Sequence, residues 1–358
     1  MGLPFMKSRA RKRDQIIAID LGGRSSKAVH LQRKGDRFLL LNYAIVDAAS
    51  HDKAISPEVL TEHLKEIGRV LDVRARPITL ALGVNDTVFK QAEVPLMSPA
   101  DLRQMLKYST KNYLQQELQD YVFDCHYLMS GAQLKLAEGS KPGVGAAQKQ
   151  KAIIGGAKRQ TIEDVNSAIK AAGFLPDQII PSLTGPVNAF ELAEPEVFAG
   201  EVVALVEIGF KGSTIIILGS GEIMLNRVVA IGGDHFTQGL ADQLGTSYQE
   251  AENIKIGLPA EVQQNLEPLI QPLGRELRAS IDFFEHQQDK TVSKVYIAGG
   301  SARSEFIVQS LQGELMVPCQ AWSPLKFLQL GLPPERMGDI EQVAPQLSVA
   351  IGAATVSF

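Results

Sequence analysis

The sequence predicts an α/β protein of two lobes built on one repeated plan, with a smaller subdomain inserted into the first. Three stretches carry that expectation. An apolar run, Ile16-Ile17-Ala18-Ile19, delivers Asp20 into a glycine turn (Leu21-Gly22-Gly23-Arg24), and Ala28-Val29-His30-Leu31 leads out beyond Lys27, giving strand, turn and strand. Residues 204–214 align without a gap on residues 17–27, every position displaced by the same 187 residues, and Ile215, Ile216 and Ile217 follow as another β-branched strand. Val295-Tyr296-Ile297-Ala298, running into Gly299-Gly300-Ser301, is again a strand that ends in glycines.

A chain of 358 residues exceeds what one core usually supports, so two lobes of ordinary size are expected. Hydrophobic residues at 45% and charged residues at 21% are ordinary for a globular protein, and a net charge of -4 gives no overall field for nucleic acid. Cys125 and Cys319 stand far apart with no partner at metal spacing, which excludes a disulfide framework and a zinc cluster. No apolar run approaches a membrane span, and the first residues lack the apolar region of a secretory signal. Lys7, Arg9, Arg11, Lys12 and Arg13 make residues 1–13 a basic tail, read either as solvated or as a transient contact with an anionic membrane face.

Lobe I is expected over 14–195 and opens with strands at 16–21, 27–32 and 37–44. Ser56-Pro57-Glu58 caps a helix that carries Val59, Leu60, Leu64, Ile67 and Leu71 at helical spacing, and 78–82 returns as a strand. From about 86 to 175 the chain reads as the insertion. It holds a strand at 88–95, a long helix capped by Ser98-Pro99-Ala100-Asp101 and a strand from Tyr121. A Gly-, Ala-, Gln- and Lys-rich stretch at 131–151 follows, expected as a mobile hairpin loop. Thr161-Ile162-Glu163-Asp164 resembles a capping box whose helix stops at Gly173. Residues 181–192 are expected as a helix connecting the lobes and 193–200 as a linker. Lobe II is expected over 200–342, with a meander at 202–207, 213–218 and 223–231 ending in Gly232-Gly233-Asp234. Helices near 237–244, 247–256 and 267–287 follow, and Trp322 is expected to pack the back of this lobe. Residues 343–358 supply a last, small-residue helix that returns to lobe I.

Chemistry is expected at the turns. A glycine turn exposes backbone N–H groups with no Cβ in the way and can cradle an anion, while an acid at the strand end can hold a hydrated cation. Two such turns face to face suit a metal-bound polyphosphate, with Asp20 and Glu207 as the metal ligands. Neither GxxxxGK[ST] nor GxGxxG is present, so a Walker or Rossmann site is excluded. Lys27 reads equally as a phosphate neighbour or a solvated strand residue, and Lys211 as a turn cation facing phosphate or a commonplace exposed lysine. Glu252 and Lys255 stand three apart on one helical face, the spacing of a plain intrahelical ion pair. The six histidines form no metal pattern.

With three glycine turns in this order the chain resembles the actin-like ATPase superfamily, which also includes chaperone ATPases and sugar kinases. The resemblance implies a duplicated ribonuclease-H-like fold with an inserted subdomain 1C. It makes 20–27 the first phosphate motif, 207–214 the second and 297–301 the adenosine motif. It therefore implies ATP, with Mg2+, held by Asp20, Gly22, Gly23, Ser25, Ser26, Lys27, Glu207, Gly209, Lys211, Gly212, Ser213 and Thr214. Gly232, Gly233, Glu252, Lys255, Gly299, Gly300 and Ser301 complete that set, and the resemblance makes Glu252 and Lys255 contacts to ribose and base. Within the superfamily the chain is most similar to the PilM family of type IV pilus assembly. Asp20-Leu21-Gly22 reaching Ser26-Lys27, Val94-Pro95-Leu96-Met97-Ser98 ahead of a long helix, and Leu225-Asn226-Arg227 leading to Ile231-Gly232-Gly233 carry that similarity.

The resemblance implies a cytoplasmic adaptor, peripheral at the inner membrane, that docks the cytoplasmic N-terminal peptide of a PilN-like inner-membrane protein on residues 88–127. Self-association stays open, and no nucleic acid is implied. Glu207 stands where relatives commonly have Asp, and no acid occurs between Gln178 and Glu191 to position water, which implies weak or absent ATP turnover. Leu114 replaces a proline usual near Tyr113. The alternatives are a small-molecule kinase on the same fold or a filament-forming ATPase like FtsA, whose usual amphipathic C-terminal tail does not follow Phe358.

Overall fold

The computed structural model describes residues 14–48, 56–74, 76–128, 149–257 and 262–358. The basic tail and most of the expected hairpin loop at 131–151 lie outside those residues, although Lys149, Gln150 and Lys151 belong to a strand. β1 (Gln15–Asp20), β2 (Ser25–Lys34) and β3 (Arg37–Asp47) form the antiparallel meander, and β4 (Pro77–Leu82) runs parallel to β1. Between β3 and β4 lies the helix Pro57–Val70, started by the Ser56 hydroxyl on the Val59 N–H at 3.3 Å. It buries Leu60, Leu64 and Ile67 against Ile17, Ile19 and Leu80. Each such aliphatic side chain contributes about 1.5–3 kcal/mol when fully buried. Val59, expected on that face, points outward and is 42% exposed.

The insertion is a three-stranded sheet in the order β5-β7-β6, formed by β5 (Thr87–Pro95), β6 (Tyr121–Tyr127) and β7 (Lys149–Lys158). The helix Pro99–Leu114 covers it, packing Leu102, Leu106 and Leu114 on Val94, Phe123 and Ile154. Its end comes earlier than the expected boundary at about 175. The helix Arg159–Ala171 buries Val165, Ala168 and Ile169 in the same core as Leu60, Leu64 and Ile67, so it covers the first sheet. Thr161 lies inside that helix, which begins without a side-chain cap, so the expected capping box is not one. β8 (Leu175–Pro181) then joins the sheet beside β4.

Two helices stand between the lobes, Thr184–Ala193 and Ser348–Thr355. They cross so closely that a Cβ on Gly352 would lie 1.7 Å from the Gly185 carbonyl oxygen, which leaves only glycine possible there. The expected linker at 193–200 is instead occupied by the short helix Pro195–Gly200.

β9 (Val202–Ile208), β10 (Ser213–Gly219) and β11 (Glu222–Val229) repeat the meander, and β12 (Lys294–Gly299) runs parallel to β9. β13 (Cys319–Ala321) completes a five-stranded sheet ordered β11-β10-β9-β12-β13, the same succession as β3-β2-β1-β4-β8 in lobe I. Strand alternation divides the side chains. Leu205 and Ile216 face the central core with Ile16 and Val29, while Ala204, Val206, Ile215 and Ile217 face the outer helices Gln263–Gln288 and Glu305–Leu315.

Two expectations about lobe II need correction. β14 (Leu328–Leu330) pairs in parallel with β3, so a segment expected within lobe II extends the lobe I sheet. Trp322 packs edge-on against Phe190 of the connecting helix, with ring centroids 5.4 Å apart, and so belongs to the core shared by the lobes.

Candidate functional site

The register of β1 with β2 sets Asp20 opposite Lys27, and that of β9 with β10 sets Glu207 opposite Thr214. Each turn is closed by a backbone bond, Gly22 N–H to the Asp20 carbonyl at 3.1 Å and Gly209 N–H to the Gly212 carbonyl at 3.0 Å. Glycine is required at both. A Cβ would lie 2.5 Å from the Ser25 carbonyl oxygen at Gly22, and 2.7 Å from the Gly212 carbonyl oxygen at Gly209. Gly299 ends β12 at φ 93°, where a Cβ would lie 2.3 Å from the Ile208 carbonyl oxygen, so the third turn lies tight against the end of β9.

The two turns face one cleft. Burial raises the Asp20 carboxyl above its ordinary pKa, opposed by the Lys27 ammonium. Glu207 is pushed up to about 8, first by burial, with the Ser348 hydroxyl opposing, the Asp20 charge adding and Lys27 opposing. Two groups of lobe I therefore act electrostatically on the acid of lobe II. Ser348 Oγ donates to Glu207 Oε2 at 2.7 Å, and Lys27 Nζ donates to the Ser25 carbonyl at 3.0 Å.

The cleft encloses a cavity of about 540 Å3. Asp20, Gly22, Gly23, Ser25 and Lys27 line it from lobe I; Glu207, Gly209, Lys211, Gly212 and Thr214 line it from lobe II. Gly233, Glu252, Lys255, Gly299, Gly300 and Ser301 complete the predicted set that reaches it. Three predicted residues do not. Ser26 is buried with its hydroxyl 2.8 Å from His63 Nε2, and Ser213 donates to the Ile231 carbonyl at 2.7 Å. Gly232 is packed behind the second turn, where a Cβ would lie 2.3 Å from the Phe210 carbonyl oxygen.

Several readings left open by the sequence take a definite form. Lys27 is half-buried at the cleft wall. Lys211 Nζ pairs with Asp234 Oδ2 at 2.8 Å and lies 5.0 Å from the Phe210 ring centroid. Lys255 Nζ and Glu252 Oε2 form the intrahelical ion pair at 2.7 Å, and Thr237 Oγ1 accepts from Lys255 at 2.8 Å. Burial lowers the Lys255 pKa, opposed by Glu252. Burial alone would raise Glu252, but the Lys255 ammonium and its hydrogen bond hold it below the ordinary value.

Sequence reasoning missed Ser348, Arg24 and Tyr248. The Arg24 guanidinium of the first turn lies 5.2 Å from the ring centroid of Tyr248, whose hydroxyl donates to Asp234 Oδ1 at 2.9 Å. The Arg24–Tyr248 contact joins the lobes at the rim of the cleft. Nothing local marks these contacts, since they join residues distant in the chain and of common types.

The glycine turns fit a phosphate chain, because their backbone approaches are ones that a Cβ would fill. For Mg2+, which keeps several waters and uses one or two carboxylates plus phosphates, Asp20 and Glu207 suffice in number. Among the described residues no group of three His, Cys, Asp or Glu side chains is placed to hold a metal ion. Nor is any described helix long and apolar enough to cross a membrane.

The family model of the type IV pilus assembly protein PilM matches residues 18–358. The structure of a PilM-PilN type IV pilus biogenesis complex is similar with a TM-score of 0.81 at 19% identity, over 97% of this chain and 99% of that one. The ethanolamine utilization protein EutJ from Carboxydothermus hydrogenoformans is similar with a TM-score of 0.55 at 14% identity, over 96% of this chain and 90% of that one. MreB 5 of Spiroplasma citri, bound to AMPPNP, is similar with a TM-score of 0.50 at 11% identity, over 97% and 96%. The fold is the α/β actin-like ATPase fold.

Proposed function

The chain belongs to the PilM family of type IV pilus assembly proteins, and from that premise we propose that it is a cytoplasmic nucleotide-binding adaptor, peripheral at the inner membrane. It binds ATP in the interlobe cleft and docks the cytoplasmic N-terminal peptide of a PilN-like inner-membrane protein on the inserted subdomain and its border with lobe I, within residues 88–127. The likeness to the PilM-PilN complex supports the choice of partner. One observation carries the nucleotide reading: two equivalent glycine turns, one from each lobe, bound a single cavity of about 540 Å3 with a third turn at its wall.

In this reading the backbone N–H groups of the turns at Gly22 and Gly209 hold phosphate oxygens, and Lys27 supplies the positive charge that lobe I places beside them. Asp20 and Glu207 hold hydrated Mg2+, which neutralises phosphate charge when bound. Contacts made from both lobes favour the closed arrangement, and that arrangement sets the shape of the docking surface. No acid lies between Gln178 and Glu191, which spans the last residues of β8 and most of the connecting helix, so the nucleotide acts as a ligand rather than a rapidly consumed substrate.

The test is to purify the protein from its own cells, identify any nucleotide and peptide that travel with it, and titrate the stripped protein with ATP and Mg2+ by calorimetry. Saturable ATP binding is expected, and a synthetic peptide of the first fifteen or so residues of the PilN-like protein should bind the stripped protein. Absence of any ATP binding would remove the nucleotide switch.

A further inference from the structure

A cavity of about 560 Å3 lies on lobe I, away from the glycine turns. Asp72, Arg74 and Arg76 line it from the loop that leads into β4, and Glu335, Arg336 and Asp339 from the segment after β14. Three guanidiniums and three carboxylates therefore border one space. Among the described residues none of these guanidiniums forms an ion pair. Arg336 is fixed by Tyr43, whose ring centroid lies 5.4 Å from the guanidinium carbon and whose hydroxyl donates to the Arg336 carbonyl at 3.5 Å. His30 of β2 also lines the cavity, and its Nε2 lies 3.2 Å from Gln15 Oε1. Burial, with the Arg76 charge adding, pushes the His30 pKa down to about 4, so a neutral ring stands beside the arginine.

This is the end of the lobe I sheet where β1 and β4 begin. Both strands run from here to the interlobe cleft, which Asp20 and Gly83 line at their far ends. The basic tail joins the chain at the same end. Asp14 precedes Gln15 of β1, and its carbonyl accepts from the Arg33 N–H at 2.8 Å. Residues 1–13 hold five basic side chains and no acid, with Leu3, Phe5 and Met6 ahead of them. Two large apolar side chains are exposed beside the arginines. Leu175 is 56% exposed and its N–H donates to the Arg76 carbonyl at 3.1 Å, while Met337, 45% exposed, follows Arg336. Cations next to exposed aliphatic side chains suit a lipid interface, where the cations meet phosphate and the apolar groups enter the acyl boundary.

We propose that this end of lobe I is the face the protein lays on a phospholipid membrane, with the cavity receiving the headgroup of an aminophospholipid. The inference rests on the peripheral membrane location in the reading above and adds to it the surface that meets the lipid. The basic tail steers the chain to anionic lipid, since each Lys or Arg near such a surface is attracted to it. The acids that line the cavity cancel its arginines at long range, so the cavity acts at contact distance. There a zwitterionic headgroup answers both signs: its phosphate accepts from Arg74, Arg76 and Arg336, and its ammonium donates to Asp72, Glu335 or Asp339. A trimethylammonium headgroup has no N–H to donate and fits the carboxylates less well. Leu175 and Met337 enter the acyl boundary on either side.

The experiment sediments the full chain with vesicles of phosphatidylethanolamine and phosphatidylglycerol, roughly three parts to one, and with vesicles in which phosphatidylcholine replaces phosphatidylethanolamine. The wild type is expected to bind the first kind at least about threefold more tightly than the second. Arg74→Ala with Arg76→Ala should weaken binding to the first kind about tenfold or more. Both side chains are exposed and far from the cleft, so the melting temperature and ATP affinity of this variant should equal those of the wild type. Leu175→Ser should weaken binding about threefold, and the loss should persist in high salt, which screens the charges. If the wild type binds only vesicles that carry the PilN-like protein, the peripheral location stands through the partner and this inference falls. Wild-type binding by the double arginine variant would assign the membrane contact to the tail alone and overturn the cavity's part in it. Equal binding to both kinds of vesicle overturns the headgroup assignment. Binding of soluble glycerophosphoethanolamine without any binding of vesicles would make the cavity a site for a free ligand, and so overturn the membrane face.

Discussion

The two glycine turns occupy equivalent places in equivalent sheets, yet they are supported differently. In lobe I the half-buried Lys27 folds back on the Ser25 carbonyl, and its charge opposes the burial that raises Asp20. In lobe II the matching position is Thr214, which carries no charge, and the nearby cation, Lys211, is turned outward to Asp234. Glu207 is held instead by Ser348, from a helix more than a hundred residues on. Duplication has kept the backbone N–H groups in place, while the unduplicated side chains decide where charge sits. Lobe I presents the cation, and lobe II presents an acid that burial favours in its protonated form at neutral pH.

The largest expected effect comes from placing a Cβ in either turn. Gly22→Ala and Gly209→Ala should each weaken ATP at least about tenfold, ~1.4 kcal/mol, in calorimetric titrations on protein whose circular dichroism is unchanged. Loss at one turn alone would mean that the halves do not share one ligand. The cations should separate next. Lys27→Ala is expected to weaken ATP about tenfold, whereas Lys211→Ala, removing a half-exposed ammonium already paired with Asp234, should change it by no more than roughly threefold. The opposite order would place the effective cation in lobe II.

The acids sharpen the comparison through pH. Because the folded-state pKa of Glu207 is raised, the ligand-free protein holds that proton more tightly than the unfolded chain does. Its contribution to stability is full below the ordinary glutamate pKa, falls as pH rises towards about 8, and levels off above it. Glu207→Gln should flatten this fall in melting temperature measured in EDTA, and stand above the wild type at alkaline pH. An unchanged profile would show that Glu207 is not the titrating group. The smallest effect belongs to Ser348→Ala, which removes a hydrogen bond that lowers the Glu207 pKa. The falling limb should extend to higher pH, with a stability loss of about 0.5–1.5 kcal/mol at neutral pH.

Most of the residues expected at the turns line one cleft, and strand alternation accounts for two of the three that do not. In a strand successive side chains alternate faces. Ser25 and Lys27 line the cleft, so Ser26 between them had to turn inward, where it meets His63. The same alternation sends Ser213 to the Ile231 carbonyl while Thr214 reaches the cavity. Gly232 has another cause: the second turn needs room behind it, and only a glycine leaves that room. The ion pair of Glu252 and Lys255 was foreseeable from its spacing, but Thr237 as a further partner of Lys255 was not.

The turns, the repeated meander and the two helices between the lobes are written in short-range patterns: apolar alternation, glycine where no Cβ fits, and small residues at a close crossing. Those patterns act over a few residues, so the chain alone specifies them. Which surfaces meet is a different matter. β14 completing the lobe I sheet, Trp322 entering the shared core, Ser348 bonding Glu207 and Arg24 facing Tyr248 all join segments far apart in the chain. Such pairings follow from how finished sheets and helices pack, because a side chain's distant neighbours exist only once the elements carrying them have docked.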